Sequence, residues 1–160
     1  MHSMNSARAI TAETGLRQLV VFDGECPLCR RAVRALLRLE AAPVTGLITL
    51  QSSLGHRLGE HFGENADALD SVWLIRGGAL YRDSEALWRC AEEFKRPWAF
   101  ISALRFLPRP LRDGVYQIIG RFRRYLATDP GEVASERLLT ELDDADCRAL
   151  DLPLSLAGSP

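Results

Sequence analysis

Long apolar runs are missing from this sequence. No stretch approaches the roughly 20 consecutive apolar residues that a membrane-spanning helix needs, so we predict no integral membrane segment. The first 18 residues also lack the apolar centre of a secretory signal peptide. We therefore interpret residues 1–18 as a disordered leader, in which Met4 is an alternative start, and we expect a cytoplasmic protein.

Lysine is nearly absent as well, since Lys95 is the single lysine among 20 basic residues. Such a preference for arginine is typical of a GC-rich bacterial genome. The formal net charge is −1, but residues 1–126 carry 18 basic and 13 acidic side chains, whereas residues 127–160 carry 2 and 8. Either the acidic end lies over the basic body, or it forms a solvated terminal helix.

A second close pair of metal ligands is also lacking. Cys26 and Cys29 have C-x-x-C spacing, while Cys90 and Cys147 stand alone. A structural zinc site takes four ligands, usually from two such pairs, so we expect no metal, with a metal-binding protein as one alternative. Because no export signal is present, we expect a reducing compartment, where a C-x-x-C pair is more often catalytic than structural.

The C-x-x-C pair follows a strand-length apolar run, residues 19–22, and opens an amphipathic pattern. Pro27 suits the first helical position, where a missing N–H is harmless. Cys26 is therefore predicted as an exposed N-cap, where unpaired N–H groups and the positive end of the helix dipole favour the attacking thiolate. Cys29 lies one turn later, within reach of a small disulfide ring. We predict that Cys26 attacks and that Cys29 resolves.

Asp23, three residues before Cys26, is the third candidate site residue. An ionised carboxylate at this position disfavours a neighbouring thiolate. A partly buried, protonated carboxyl could instead carry a proton to or from Cys29, and this is our hypothesis for its role. The alternatives for the two cysteines are half of a metal site or an inert buried pair.

The motif Asp23-Gly24-Glu25-Cys26-Pro27-Leu28-Cys29 resembles the Asp-Cys-Cys signature of the DCC family of predicted thiol-disulfide oxidoreductases. Further segments resemble landmarks of that family: Leu50-Gln51-Ser52, Asp83-Ser84-Glu85-Ala86, Pro97-Trp98 and residues 116–124. The resemblance covers roughly residues 19–126. It implies a thioredoxin-like fold, a dithiol–disulfide cycle that needs no cofactor, and a protein or glutathione-like thiol or disulfide as the substrate.

Hydrophobic periodicity independently predicts an α/β fold with the order βαβα, then a β-hairpin, then a helix. The predicted elements are a strand at 19–22, a helix from 27 to about 40, a strand at 47–50, a helix capped by Ser52 or Ser53 and ended by Gly63, strands at 72–75 and 79–81 around Gly77-Gly78, and a helix capped by Asp83 or Ser84 that runs to about 95. This order is the thioredoxin-like layout. The domain plan is a core at 19–96, a helical extension at 97–150 packed on the same domain, and a frayed tail at 151–160.

The extension contains an apolar helical stripe from Leu111 to Leu126. Its segment Arg121-Phe122-Arg123-Arg124-Tyr125 mixes aromatics with arginines, but the aromatics fall on the apolar stripe. We therefore predict no nucleic-acid partner. Further helices are predicted at 133–142 and 145–150.

Several side chains have two interpretations. Arg30, Arg34 and Arg38 recur every four residues and form either a solvated stripe or a cationic rim that attracts an anionic thiol. His56 and His61 are either surface residues or bases for a thiol. Ser71 occupies the place before the third strand where thioredoxin-like enzymes usually carry a cis-proline. The main rival to an enzyme is a non-catalytic binding module on the same fold.

Overall fold

The central strand forms from the apolar run that precedes the cysteines. In a computed structural model, which describes residues 15–65, 72–97, 103, 105–111, 113–114 and 137–158, this run becomes the first strand. The elements are β1 (Gln18–Phe22), α1 (Pro27–Leu39), β2 (Thr45–Thr49), α2 (Ser53–Phe62), β3 (Trp73–Arg76), β4 (Ala79–Tyr81), α3 (Asp83–Ala91), α4 (Asp144–Ala149) and a 3-10 helix (Leu154–Leu156).

One four-stranded sheet organises these elements in the order β2-β1-β3-β4. β1 pairs in parallel with β2 and antiparallel with β3, and β3 pairs antiparallel with β4. Every residue of β1 is buried, as expected for a central strand that is covered on both faces. The predicted thioredoxin-like layout is therefore confirmed.

Side chains alternate along β1 and so supply two cores. Leu19 and Val21 belong to the core shared with α2, whereas Val20 and Phe22 belong to the core shared with α1 and α3. We call these sides of the sheet the α2 face and the α1–α3 face. Cys26, Cys29 and Cys90 lie in the core of the α1–α3 face. Cys147 lies in the core of the α2 face.

The capping residues of α2 are those that the sequence predicts. The Ser52 hydroxyl accepts a hydrogen bond from the Gly55 backbone N–H at 3.0 Å, which satisfies one of the unpaired donors at the helix start. Gly63 ends the helix with φ at 70°, a left-handed conformation that glycine adopts without a steric penalty. These two caps are local signals, and the predicted bounds of α2 are confirmed.

The bounds of α3 differ from the prediction at both ends. Its N-cap is Arg82, without a side-chain capping bond, rather than Asp83 or Ser84. The helix ends at Ala91 instead of continuing to about residue 95. Lys95 donates its backbone N–H to the Leu39 carbonyl at 2.7 Å, and Phe94 makes a β-bridge with Glu40. The chain leaves α3 early because it pairs with the end of α1.

The last described segment, 137–158, is part of the fold. Leu138 makes a parallel β-bridge with Leu47, and Leu142 makes one with Ala157. A helix predicted at 133–142 is therefore wrong in its described part, because these residues extend along the unpaired edge of β2 and toward the chain end. The predicted helix at 145–150 corresponds to α4, whose Cys147 is fully buried.

Residues 152–158 also pack on the body where a frayed tail is predicted. Leu152 and Leu156 are buried in the core of the α2 face. The Arg57 guanidinium donates to the backbone carbonyls of Leu156 and Ala157 and so ties the segment to α2. At the other end of the chain, the core begins at Leu16, which is buried in the same face and precedes the predicted boundary.

Some predictions fall on residues that the structure does not describe. These are the first 14 residues of the leader, Ser71, Trp98, most of the apolar stripe at 111–126 with its arginines, and the start of the helix at 133–142. Among the helices of the described residues, none is both long enough and apolar enough to cross a membrane.

Candidate functional site

The C-x-x-C pair lies where β1 ends and α1 begins. Cys26 is the N-cap of α1, with φ at −80° and ψ at 115°, and Pro27 follows in the first helical turn. The Cys26 carbonyl accepts the first helical hydrogen bond from the Arg30 N–H at 3.1 Å. Cys29 is in the first turn, and all four cysteines of the chain are outside any disulfide. The predicted position of Cys26 at the positive end of the helix is confirmed.

The exposure of Cys26 differs from the prediction. Cys26 is 6% exposed and Cys29 is 9% exposed, and both pack in the core of the α1–α3 face. Cys26 is buried because it packs in the same apolar cluster as Val20 and Phe22 of β1 and Val33 of α1.

The loop between β1 and α1 is held by a side-chain network. Gln51 Nε2 donates to Asp23 Oδ1 at 2.7 Å, and the Gly24 N–H donates to Gln51 Oε1 at 3.1 Å. The Glu25 N–H donates to the same Asp23 oxygen at 2.8 Å. A Cβ atom on Gly24 would lie 3.1 Å from Thr49 Cγ2, so the loop packs closely against the end of β2. Asp23 thus acts structurally as an acceptor that connects the loop to the β2–α2 turn.

The other candidate residues lie apart from this network. His56 and His61 are exposed on α2, the helix that covers the opposite face of the sheet from the two cysteines. On α1, Arg38 is exposed, and Arg30 and Arg34 are half-buried. Within the part of the chain that the structure describes, no group of three or more His, Cys, Asp or Glu residues is placed to hold a metal ion.

Cys90 and Cys147 are buried on opposite faces of the sheet. Burial raises the pKa of the Cys90 thiol from 9.0 to about 12. Arg76 lowers this pKa, and Glu40 and Glu93 raise it, each by less than burial does. Burial also raises the pKa of the Cys147 thiol, and the carboxylates of α4 add to the effect. Cys90 lines a cavity of about 250 Å³ between α1 and α3. The prediction that Cys90 is a small buried residue is confirmed.

Comparison with known proteins agrees with this geometry. The family model described as DCC1-like thiol-disulfide oxidoreductase matches residues 20–129, which include Asp23, Cys26 and Cys29. The chain belongs to this family. The uncharacterized protein YuxK of Bacillus subtilis (strain 168) is 30% identical over 114 residues, which cover 71% of this chain and 83% of YuxK.

A second relative of this DCC1-like chain comes from a plant. A chloroplastic DCC family protein of Arabidopsis thaliana is 28% identical over 112 residues, 69% of this chain and 65% of that protein. The chain therefore spans less than two thirds of the Arabidopsis relative. No solved structure is a significant match. The resemblance inferred from the Asp-Cys-Cys motif is confirmed at the level of the family.

The network shows one site residue to which the sequence assigned no role. Gln51 lies two residues after the end of β2, in a segment singled out only as a landmark of the DCC family. Its side chain contacts Gly24 and Asp23, which lie 27 and 28 positions earlier in the chain. The sequence signal that could identify Gln51 as part of the network is its place near the end of a strand that runs parallel to β1, because such strands end at the same edge of the sheet.

Because the Cys90 thiol is buried, we predict that the folded protein loses stability at alkaline pH. An unfolded thiol ionises above about pH 9, whereas the folded one stays neutral until about pH 12. The contribution of Cys90 is therefore fully present below pH 9 and declines as the pH rises toward 12. We expect the unfolding free energy to fall by about 1.4 kcal/mol between pH 7 and pH 10 through this group.

Urea unfolding at several pH values, compared with Cys90→Ala, measures this contribution. The variant is expected to be less stable at pH 7 and to approach the wild type as the pH rises. Parallel stability curves for the two proteins between pH 7 and pH 10 would contradict the assignment.

Proposed function

We propose that this DCC family member is a thiol-disulfide oxidoreductase in which Cys26 attacks and Cys29 resolves. The observation that carries the proposal is the place of the pair: Cys26 is the N-cap of α1, and Cys29 follows in the first turn. A helix N-terminus stabilises a thiolate, and the thiolate is the nucleophile in disulfide exchange. The family match supports the same reaction class.

The cycle balances without a metal or nucleotide. The Cys26 thiolate attacks one sulfur of a substrate disulfide, a mixed disulfide forms, and the leaving thiolate takes up a proton. The Cys29 thiolate then attacks the Cys26 sulfur and releases the second substrate thiol. Two electrons pass to the substrate, and the protein keeps a Cys26–Cys29 disulfide. Glutathione or a thioredoxin-type donor reduces that disulfide again.

The proposed substrate is a protein or glutathione-like thiol or disulfide in the cytoplasm. Arg30, Arg34 and Arg38 on α1 supply positive charge on the helix that carries the cysteines. A cationic rim raises the local concentration of an anionic thiol. In this proposal Asp23 carries a proton to or from Cys29 while its Oδ1 atom keeps the contacts to Gln51 and Glu25.

The experiment that tests the proposal is an alkylation series across graded glutathione redox buffers, with mass mapping of each cysteine. We expect Cys26 and Cys29 to become oxidised together, as one two-electron couple, with a tenfold change in the equilibrium ratio for each ~30 mV. Cys90 and Cys147 are expected to stay as thiols throughout. A Cys90→Ala variant serves as the matched control and is expected to give the same curve.

A second candidate function follows from the burial of both sulfurs. A pair that is 6% and 9% exposed also suits a non-catalytic binding module in which the cysteines are packing residues. In that case both cysteines alkylate slowly and no Cys26–Cys29 bond forms at any buffer ratio. The same series therefore separates the enzyme from the binding module.

A further inference from the structure

The loop that presents Cys26 has few connections of its own. Residues 23–25 join β1 to α1, and two of their hydrogen bonds are local: the Cys26 N–H to the Asp23 carbonyl at 3.3 Å, and the Glu25 N–H to Asp23 Oδ1. Among the described residues, the hydrogen bonds that join this loop to a distant element are both made by Gln51. Gln51 therefore holds the loop to the rest of the fold.

An amide side chain suits this task chemically. The Asp23 carboxylate needs a donor and the Gly24 N–H needs an acceptor, and a primary amide supplies both from one planar group. The partners also fix the amide orientation, with Nε2 on the carboxylate and Oε1 on the N–H. A carboxylate at position 51 could accept from Gly24 but would repel Asp23, and a lysine could donate but not accept.

The backbone of Gln51 lies between β2 and α2, and hydrogen bonds hold the residues on both sides of it. On one side, the Leu50 N–H donates to the Phe22 carbonyl at 2.9 Å and extends the pairing of β1 with β2. On the other side, the Ser52 N–H donates to the Thr49 carbonyl at 3.1 Å, and the Ser52 hydroxyl caps α2. The position of Gln51 is thus determined by the sheet and by α2, independently of the two cysteines.

From these contacts we infer that Gln51 is a positioning residue for the chemistry of Cys26 and Cys29. It fixes the Asp23 carboxylate and the backbone of Gly24, and through them the direction in which the loop presents the Cys26 sulfur at the helix N-terminus. This role rests on the proposed oxidoreductase function. It adds to the Asp-Cys-Cys motif a fourth residue, supplied by the turn after β2.

The variant that tests this role is Gln51→Met, which keeps the side-chain length and removes both hydrogen bonds. We expect its rate of exchange with glutathione disulfide to fall by about tenfold, because a hydrogen bond to a charged group is worth about that factor. The reduction potential of the pair and the pH profile of Cys26 alkylation are expected to shift as well. Gln51 is exposed, so the midpoint of urea unfolding should stay near that of the wild type.

Two controls separate positioning from stability. Asp143→Ala removes the N-cap hydrogen bond of α4, which is remote in the chain from Gln51 and the loop, so it should lower the unfolding midpoint while leaving the exchange rate and the potential unchanged. Asp23→Asn with Gln51→Met should be no slower than the slower single variant if both act through their shared contact. Independent, multiplying effects would overturn the shared role.

The outcomes distinguish the two proposals. If the wild-type protein oxidises reversibly but Gln51→Met matches it in rate and potential, the role of Gln51 is wrong and the oxidoreductase function stands. If the wild-type pair never oxidises, the proposed function is wrong, and the positioning role is overturned with it. A slower rate in Gln51→Met that equals the effect of Asp143→Ala would mark a structural effect and would also overturn the inference.

Discussion

Replacing Cys26 with serine is expected to abolish thiol–disulfide exchange, with a loss of at least about 10³-fold in rate. A serine hydroxyl stays protonated at neutral pH and does not attack sulfur, whereas a thiolate at a helix N-terminus does. The variant should fold, because serine is a favoured N-cap and the first helical hydrogen bond uses the backbone carbonyl of residue 26. Reduction of glutathione disulfide, followed by mass spectrometry of the released thiol, measures the loss.

Cys29→Ser is the matched control for this prediction. Because the attack by Cys26 is retained and the resolving thiol is missing, the mixed disulfide should accumulate. We expect a stoichiometric glutathione adduct that maps to Cys26. Adducts on Cys90 or Cys147, or more than a tenth of the wild-type rate in Cys26→Ser, would contradict the assigned order of attack.

The second large effect is expected at a buried ion pair that joins the C-terminal segment to the end of α1. Arg137 Nη2 lies 2.9 Å from Glu40 Oε2, and these side chains are 11% and 2% exposed. Glu40 Oε1 accepts hydrogen bonds from the Val44 N–H and from the Thr45 hydroxyl. Arg137 Nη1 donates to the Thr45 carbonyl at 2.8 Å. Both charges are therefore satisfied inside the protein rather than by water.

Replacing Arg137 with methionine leaves the Glu40 carboxylate buried without its cation. We expect the unfolding free energy to fall by about 3–5 kcal/mol, measured by urea unfolding at pH 7. The double variant Glu40→Gln with Arg137→Met removes the unpaired buried charge of Glu40 and should recover a substantial part of the lost unfolding free energy. A single variant within about 1 kcal/mol of the wild type would show that the pair behaves like an exposed one.

Local sequence signals account for the parts of the fold that were predicted well. Pro27 after a buried strand fixes the start of α1, Ser52 and Gly63 fix the ends of α2, and Gly77-Gly78 marks the hairpin. Each of these signals acts within a few residues of the structure that it determines. The strand–turn–helix arrangement around the cysteines, and hence the place of the candidate site, follows from them.

The remaining features depend on contacts between distant residues. The Gln51–Asp23 pair spans 28 positions, and no local pattern indicates which polar side chain lies opposite the loop. The burial of Cys26 results from its place in a core to which β1, α1 and α3 all contribute. Leu138 and Leu142 have an apolar spacing that suits a helix, but the open edge of β2 provides partners for an extended chain. Tertiary pairing of this kind overrides local propensity.

The α2 face of the sheet is completed by residues that lie far from it along the chain, and this affects how the protein folds. Among the described residues, the buried side chains of the α1–α3 face all lie between Val20 and Phe94 in the sequence. The buried core of the α2 face also includes Leu142, Leu150 and Leu156. During synthesis that second face is covered only in part, by α2, until residue 156 has left the ribosome. Contacts such as Leu47 with Leu139 raise the contact order, so we expect the docking of this segment to be the slow step of folding. Until then, the uncovered part of the α2 face is the surface of the nascent chain that a chaperone would bind.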